Sequence, residues 1–273
     1  MVNIKVIFSD IDGTLLNSNH QLTNCTKETI NKVVQKEREF ILISARMPSG
    51  IKAIYHGLEI KSPLICYNGA LILRNPEFNE NNTILFSTTI SKINANKIYT
   101  IIKDKFPNIS LNLFSYDQWL VENGEDKWTK QESEIIKVLP MVVNIKNYIT
   151  QDGAVHKILC MGEPPLISEL ESELNSSFLD VCCYRSKDTY LEITSKGASK
   201  VLGIKALETY FAVKPKEMMA IGDNFNDMAM IEYAGMGIAM GNAPQQVKDA
   251  SDFVTKSNDQ DGMKLALETF ILT

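Results

Sequence analysis

Apolar positions come in short unbroken runs near both ends of the chain and in mixed patterns through its middle. Ile4-Lys5-Val6-Ile7-Phe8 is β-branched and aromatic and stops abruptly at Ser9-Asp10. That is the mark of a buried strand whose carboxyl end opens into a polar loop. Thr23 is placed to cap a following helix that carries Ile30, Val33 and Val34 on one face. A second run, Phe40-Ile41-Leu42-Ile43, ends in Ser44-Ala45-Arg46, with Pro48 suited to a helix start and Gly57 near that helix's end. A third, Leu64-Ile65-Cys66-Tyr67, ends in Asn68-Gly69.

The same grammar returns late in the chain. Ile204, Leu207 and Phe211 share a helical face, Met218-Met219-Ala220-Ile221 reads as a strand ending at Gly222-Asp223, and Gly237-Ile238-Ala239-Met240 as another. Val254 falls in a last short strand before a closing helix through Leu265 and Leu267. Strands alternating with amphipathic helices predict right-handed βαβ units and a parallel sheet, and the unbroken apolar runs fit strands covered on both faces. The expected fold is therefore α/β, with a doubly wound, Rossmann-like parallel sheet.

Residues 83–188 break this rhythm. Strand-like runs (Ile84–Phe86, Val142–Ile145, Val155–Leu159) mix with helical stretches around Ile98–Ile102 and Leu166–Leu174. The polar joints Asn79-Glu80-Asn81-Asn82 and Arg185-Ser186-Lys187-Asp188 read as linkers. The expectation is an α+β domain, 83–188, inserted into a discontinuous core formed by 1–82 and 189–273.

Composition narrows the function classes. The 273 residues are 44% hydrophobic and carry 28 basic and 33 acidic side chains, a net charge of −5. This balance argues against disorder and against nucleic acid or an anionic membrane as the main partner. No apolar run has the roughly 18–20 residues that span a bilayer, and the first ten residues lack a signal-peptide pattern. The five cysteines (Cys25, Cys66, Cys160, Cys182, Cys183) form no C-x-x-C pair and read as small buried hydrophobes in a reducing compartment. A cytoplasmic enzyme is the leading expectation.

The chemistry collects at the predicted strand ends, where ligands bind in open parallel sheets. The first strand delivers Asp10-Ile11-Asp12-Gly13-Thr14. An EF-hand loop starting at Asp10 would need Gly and Glu where the chain has Leu15 and Gln21, so calcium-loop binding is excluded. Two carboxylates two residues apart after a buried strand suit a different task, one as metal ligand and nucleophile, the next as acid/base. A late strand delivers Gly222-Asp223-Asn224-Phe225-Asn226-Asp227. Helix capping accounts for Asn226 or Asp227 but not for Asp223. If the two strands are neighbours, Asp10, Asp12, Asp223 and Asp227 converge, and four carboxylates in a small site call for a hard cation, Mg²⁺ by default. Ser44 offers a hydroxyl to phosphoryl oxygens. Lys200 stands near a helix start, against the macrodipole preference, which marks it as a candidate functional residue. Neither a P-loop after Gly197 nor a dinucleotide fingerprint at Gly235 is complete.

In order, Asp10-Ile11-Asp12-Gly13-Thr14-Leu15-Leu16, Ile43-Ser44-Ala45-Arg46, Lys200, and Gly222-Asp223-Asn224-Phe225-Asn226-Asp227 resemble the four motifs of the haloacid dehalogenase-like (HAD) superfamily. Tyr67-Asn68-Gly69-Ala70 and Ile238-Ala239-Met240-Gly241-Asn242-Ala243 resemble phrases of its Cof-type phosphatases. One departure is Ser44-Ala45, where that group usually has Thr-Gly; the hydroxyl is kept, while alanine restricts the loop more than glycine.

The resemblance implies a Mg²⁺-dependent phosphatase acting on a small phosphorylated metabolite. Asp10 would form an aspartyl-phosphate and Asp12 would serve as acid and then base. Asp10, the backbone carbonyl of Asp12, Asp223 and Asp227 would hold the metal. Ser44, the N–H groups of Ile11 and Ala45, Lys200 and Asn226 would grip the phosphoryl oxygens. It also implies that the insert is a cap of the C2B type that reads the leaving group. The same residues could run phosphoryl transfer to another acceptor, or serve a phosphate-sensing module. The persistence of four crowded carboxylates favours catalysis. Monomers and small homo-oligomers both remain open.

Overall fold

A computed structural model of the chain describes residues 3–77, 83–177 and 179–273. The joint Asn79–Asn82, expected as a linker, lies outside the described residues. In chain order the strands are β1 (Val6–Asp10), β2 (Glu39–Ile43), β3 (Leu64–Cys66), β4 (Leu71–Leu73), β5 (Ile84–Ser87), β6 (Ser110–Ser115), β7 (Gln118–Val121), β8 (Met141–Val142), β9 (Lys157–Met161), β10 (Val181–Lys187), β11 (Tyr190–Ser195), β12 (Met218–Gly222), β13 (Met236–Ala239) and β14 (Phe253–Val254). The helices are α1 (Asn24–Gln35), α2 (Pro48–Leu58), α3 (Lys92–Lys105), α4 (Lys127–Ile136), α5 (Ile145–Thr150), α6 (Pro164–Ser176), α7 (Lys200–Phe211), α8 (Met228–Tyr233), α9 (Gln245–Asp249) and α10 (Gly262–Leu267).

Eight strands form one sheet in the order β14-β13-β12-β1-β2-β3-β4-β5. β1 pairs in parallel with β12 on one side and with β2 on the other, so the chain winds outward in both directions from β1. Between β1 and β12 lies the topological switch point, where loops from neighbouring strands diverge and leave a crevice. All five residues of β1 are buried, as expected for a strand covered on both faces. Val6, Phe8, Ile41, Ile43, Met218 and Ala220 pack with Ile204 and Leu207 of α7 and Met230 of α8. Burying an aliphatic side chain of this kind contributes about 1.5–3 kcal/mol. Thr23 accepts the N–H of Thr26 and caps α1, and α2 begins at Pro48, both as the sequence predicts.

The second sheet has six strands in the order β10-β11-β9-β6-β7-β8. Its apolar core includes Ile98 and Ile102 of α3, Ile145 and Ile149 of α5, and Ile167, Leu170 and Leu174 of α6. The chain accordingly divides into two compact units. One comprises Met1–Arg46, Ile51–Phe86 and Ser199–Thr273, the other Met47–Gly50 and Ser87–Ala198. The junctions at Phe86/Ser87 and Ala198/Ser199 differ from the expected 82/83 and 188/189 for two reasons of pairing. Most of β5 belongs to the eight-stranded sheet, and β11 lies inside the six-stranded one. The polar stretch Arg185–Asp188, read as a linker, is instead the end of β10 and its turn into β11. β10 is an edge strand, and charged side chains are the usual guard on such an edge.

All five cysteines are free; Cys66 and Cys160 are buried as expected, whereas Cys182 is exposed and Cys25 and Cys183 are half-buried. No helix among the described residues is long and apolar enough to cross a membrane.

Candidate active site

Parallel pairing sets Ser9 of β1 beside Ile221 of β12, so Asp10 and the turn Gly222–Asp227 emerge together from the carboxyl ends of adjacent strands. The carboxylates of Asp10, Asp223 and Asp227 each offer an oxygen within 4.8 Å of the others, a set able to hold a metal ion. Three oxygen donors from two strand ends match the preference of a hard divalent cation. Lys200, the first residue of α7, reaches the same point. Its ammonium donates to Asp10 and, at 2.6 Å, to Asp227.

Burial governs the electrostatics. Lys200 is 1% exposed and Asp227 fully buried. Burial disfavours the Lys200 charge, but the Asp10 and Asp227 carboxylates outweigh it and raise its pKa. Asp10 is pushed well above the ordinary carboxyl range, first by burial, with Asp227 and Asp223 adding to the shift and Lys200 opposing it. Asp223 is raised to about 6, again mainly by burial, with Asp227 adding and the Thr14 hydrogen bond opposing. One lysine against three carboxylates leaves net negative charge in a buried place, which a divalent cation offsets.

The remaining contacts fix these groups. Thr14 donates to Asp223 at 2.8 Å, and the Asn242 amide donates to Gly13 O at 2.9 Å and Asp223 Oδ2 at 3.4 Å. Gly13 has φ +82°, and a β-carbon there would stand 2.4 Å from Asp223 Oδ2, so only glycine fits the turn between the two acidic segments. Asp227 Oδ2 accepts the N–H groups of Asp223 and Asn224, both at 3.0 Å, closing the turn after β12. With its other oxygen on Lys200, Asp227 is largely committed to holding neighbours in place.

Asp12 is placed differently. Its carboxylate stands outside the acidic cluster and accepts a two-pronged guanidinium contact from Arg46, Nε at 2.8 Å and a terminal nitrogen at 2.5 Å. Ser44 is buried at the end of β2, and its hydroxyl accepts the N–H of Arg46 at 3.2 Å. Asn226 donates its amide to Asn68 Oδ1 at 3.3 Å. Ile11 is buried directly after β1, and Ala45 follows Ser44 in the β2 loop. Sequence reasoning named neither Arg46, Asn68 nor Asn242 as a site residue. The phrases Ser44-Ala45-Arg46, Tyr67–Ala70 and Ile238–Ala243 were the available signal, since each covers the carboxyl end of a predicted strand or the loop after it.

Comparison with known proteins supplies the family. Residues 7–267 match the haloacid dehalogenase-like hydrolase family. A Haemophilus influenzae protein provisionally named a phosphatase is 35% identical over 264 residues, covering 97% of each chain. Among solved structures, a haloacid dehalogenase-like hydrolase from Bacteroides thetaiotaomicron aligns with a TM-score of 0.85 and 28% identity over 97% of this chain and 99% of its own. A Thermotoga maritima protein gives a TM-score of 0.85 and 29% identity over 98% and 97%. Fold, site and relatives define a phosphoric monoester hydrolase. The chain belongs to the haloacid dehalogenase-like hydrolases, within their Cof-type group.

Proposed function

We propose that the protein is a Mg²⁺-dependent phosphatase that hydrolyses a small phosphorylated metabolite through an aspartyl-phosphate on Asp10. The observation that carries this reading is the buried Asp10 carboxylate at the switch point, gripped by Lys200 and flanked by Asp223 and Asp227. An Asp10 oxygen attacks phosphorus in line, the Asp10 O–P bond forms, and the P–O bond to the leaving alcohol breaks. Asp12 gives its proton to the departing alkoxide. In the second half, Asp12 takes a proton from water, the water oxygen attacks phosphorus, and the bond to Asp10 breaks, releasing inorganic phosphate. Arg46 pairs with the carboxylate form of Asp12, the form needed for this second half. Lys200, Ser44, Asn226 and the N–H groups of Ile11 and Ala45 hold the phosphoryl oxygens and the charge that develops on them.

Mg²⁺ would be held by Asp10, Asp223 and the Asp12 carbonyl, with Asp227 supporting it, and when bound it neutralises charge between nucleophile and phosphate. The inserted unit is read as the cap that selects the leaving group. Phosphate release from a panel of hexose phosphates, nucleoside monophosphates, flavin mononucleotide and pyridoxal phosphate tests the function. Release with Mg²⁺ that stops on EDTA addition supports it; no release from the folded, Mg²⁺-loaded protein contradicts it.

Two further outcomes follow from the site. Asp12→Ala is expected to slow hydrolysis of alkyl phosphates by about 10²–10⁴-fold. Read as kcat/KM, which reports the first half alone, the loss should be smaller for p-nitrophenyl phosphate, whose leaving group needs no proton. Equal losses for both would remove Asp12 from the acid role. The second outcome concerns pH. Asp10 and Asp223 bind protons more tightly folded than unfolded, so the metal-free protein loses stability as pH rises from about 4 toward 6 and beyond, Asp223 accounting for at most about 3 kcal/mol. A cation reverses that penalty. Mg²⁺ should therefore raise the melting temperature more at about pH 7.5 than at about pH 5, and an equal rise at both would contradict the assignment.

A further inference from the structure

The connection between β3 and β4 is a four-residue turn at the same sheet end as the acidic cluster, and its backbone is unusual. Tyr67, Asn68 and Gly69 have consecutive positive φ angles of 51°, 52° and 103°. Left-handed backbone is costly for an aromatic residue, tolerable for asparagine and free for glycine. Such strain persists only where the surroundings over-determine it, and it is a reason to ask what the turn holds.

It holds three parts of the phosphoryl site. The N–H of Asn68 donates to Ser44 O at 2.9 Å and the N–H of Tyr67 to Arg46 O at 3.2 Å, while the N–H of Ser44 donates back to Ile65 O at 2.9 Å. The Ser44–Arg46 loop is thus bonded to the turn on both sides. At Gly69 a β-carbon would stand 2.2 Å from Ser199 O, so the turn lies directly on the residue that caps α7 and precedes Lys200. Gly203, one turn into α7, also lies close against the turn: a β-carbon there would stand 3.3 Å from the Gly69 α-carbon, tighter than ordinary contact. Finally, Asn68 Oδ1 accepts the Asn226 amide. A carbonyl oxygen only accepts, so it selects the nitrogen end of the Asn226 amide and leaves that group's second N–H to point elsewhere.

We propose that the Tyr67-Asn68-Gly69 turn is a positioning element of the phosphoryl site, and that Asn68 acts through Asn226 by fixing its amide as a phosphate donor. The inference rests on the reading of the site as a phosphatase centre and adds a residue to it. The Asn68 side chain pairs with Asn226 rather than with a carboxylate of the acidic cluster, so its loss spares the metal set.

The test is binding of inorganic phosphate to the full chain at saturating Mg²⁺, by calorimetry, for wild type, Asn68→Gly, Asn226→Ala and the double variant. Glycine keeps the left-handed backbone and deletes only the amide; Asn68→Ser, too short to reach Asn226, replaces it if the turn loosens. Asn68→Gly is expected to weaken phosphate binding roughly ten-fold, the size of one hydrogen bond's orientation, with Mg²⁺ affinity and melting temperature unchanged. In the Asn226→Ala background the same change should add nothing. Unchanged phosphate affinity in Asn68→Gly, or losses that multiply in the double variant, overturns the proposal. Wild-type protein that binds Mg²⁺ but no phosphate would overturn the phosphatase reading itself, and this inference with it.

Discussion

Asp10→Asn is expected to reduce turnover by at least about 10⁴-fold while the protein keeps its fold. The amide matches the carboxylate in volume, so the buried end of β1 stays filled, but it is too poor a nucleophile to attack phosphorus. The effect should fall on kcat rather than on substrate affinity, because the proposed phosphate-binding groups Lys200, Ser44 and Asn226 are left in place. Circular dichroism and a thermal melt would establish the fold, and phosphate release would measure the loss. A variant that keeps even a tenth of wild-type turnover would exclude Asp10 as nucleophile.

Lys200→Met should produce the second large effect, on stability as well as activity. The Lys200 ammonium lies between Asp10 and Asp227, both buried. Methionine fills most of the volume but leaves two buried carboxylates without their counter-charge. Breaking a buried pair in this way costs about 3–5 kcal/mol. Turnover should fall by about 10²–10³-fold through lost charge stabilisation. Because the cluster becomes more negative, Mg²⁺ should stabilise Lys200→Met by a larger increment than it stabilises wild type. Melting curves with and without Mg²⁺ measure this directly. An increment no larger than that of wild type would contradict the placement of Lys200 against the carboxylates proposed to hold the metal.

Much of this centre was legible in the sequence because its parts are local. Asp10 and Asp223 each follow an unbroken apolar run, and such a run fixes both a buried strand and the loop at its end. That β1 and β12 are neighbours follows from double winding, which is also why residues 213 positions apart meet. Lys200 stood out because a lysine at a helix start is unfavourable unless something there needs its charge.

Other features were not legible, for physical reasons. The Arg46 fork onto Asp12 depends on side-chain geometry between two loops, which periodicity does not encode. β4 is three residues long and antiparallel, so neither alternation nor length announces it. Val142–Ile145 reads as one strand-like run, yet Asn144 caps a helix that begins at Ile145, dividing the run between β8 and α5. The polar face of β10 imitates a linker because an edge strand and a loop carry similar residues. That Trp119 and Trp128 are buried, with the Trp119 indole N–H donating to Asn112 Oδ1 at 2.9 Å, depends on tertiary packing that a single sequence does not carry.

The central claim is that phosphate passes through a covalent bond to Asp10, and the most direct test is to trap that bond. Asp12→Ala with p-nitrophenyl phosphate is suited to it, since the first half needs no proton while the second has lost its base. Acid quench followed by peptide mass spectrometry should find one added phosphoryl group, on the peptide containing Asp10 and at that residue. The group should be absent when EDTA replaces Mg²⁺. Nitrophenol release with no phosphorylated peptide, or a phosphoryl group on another residue, would contradict the account.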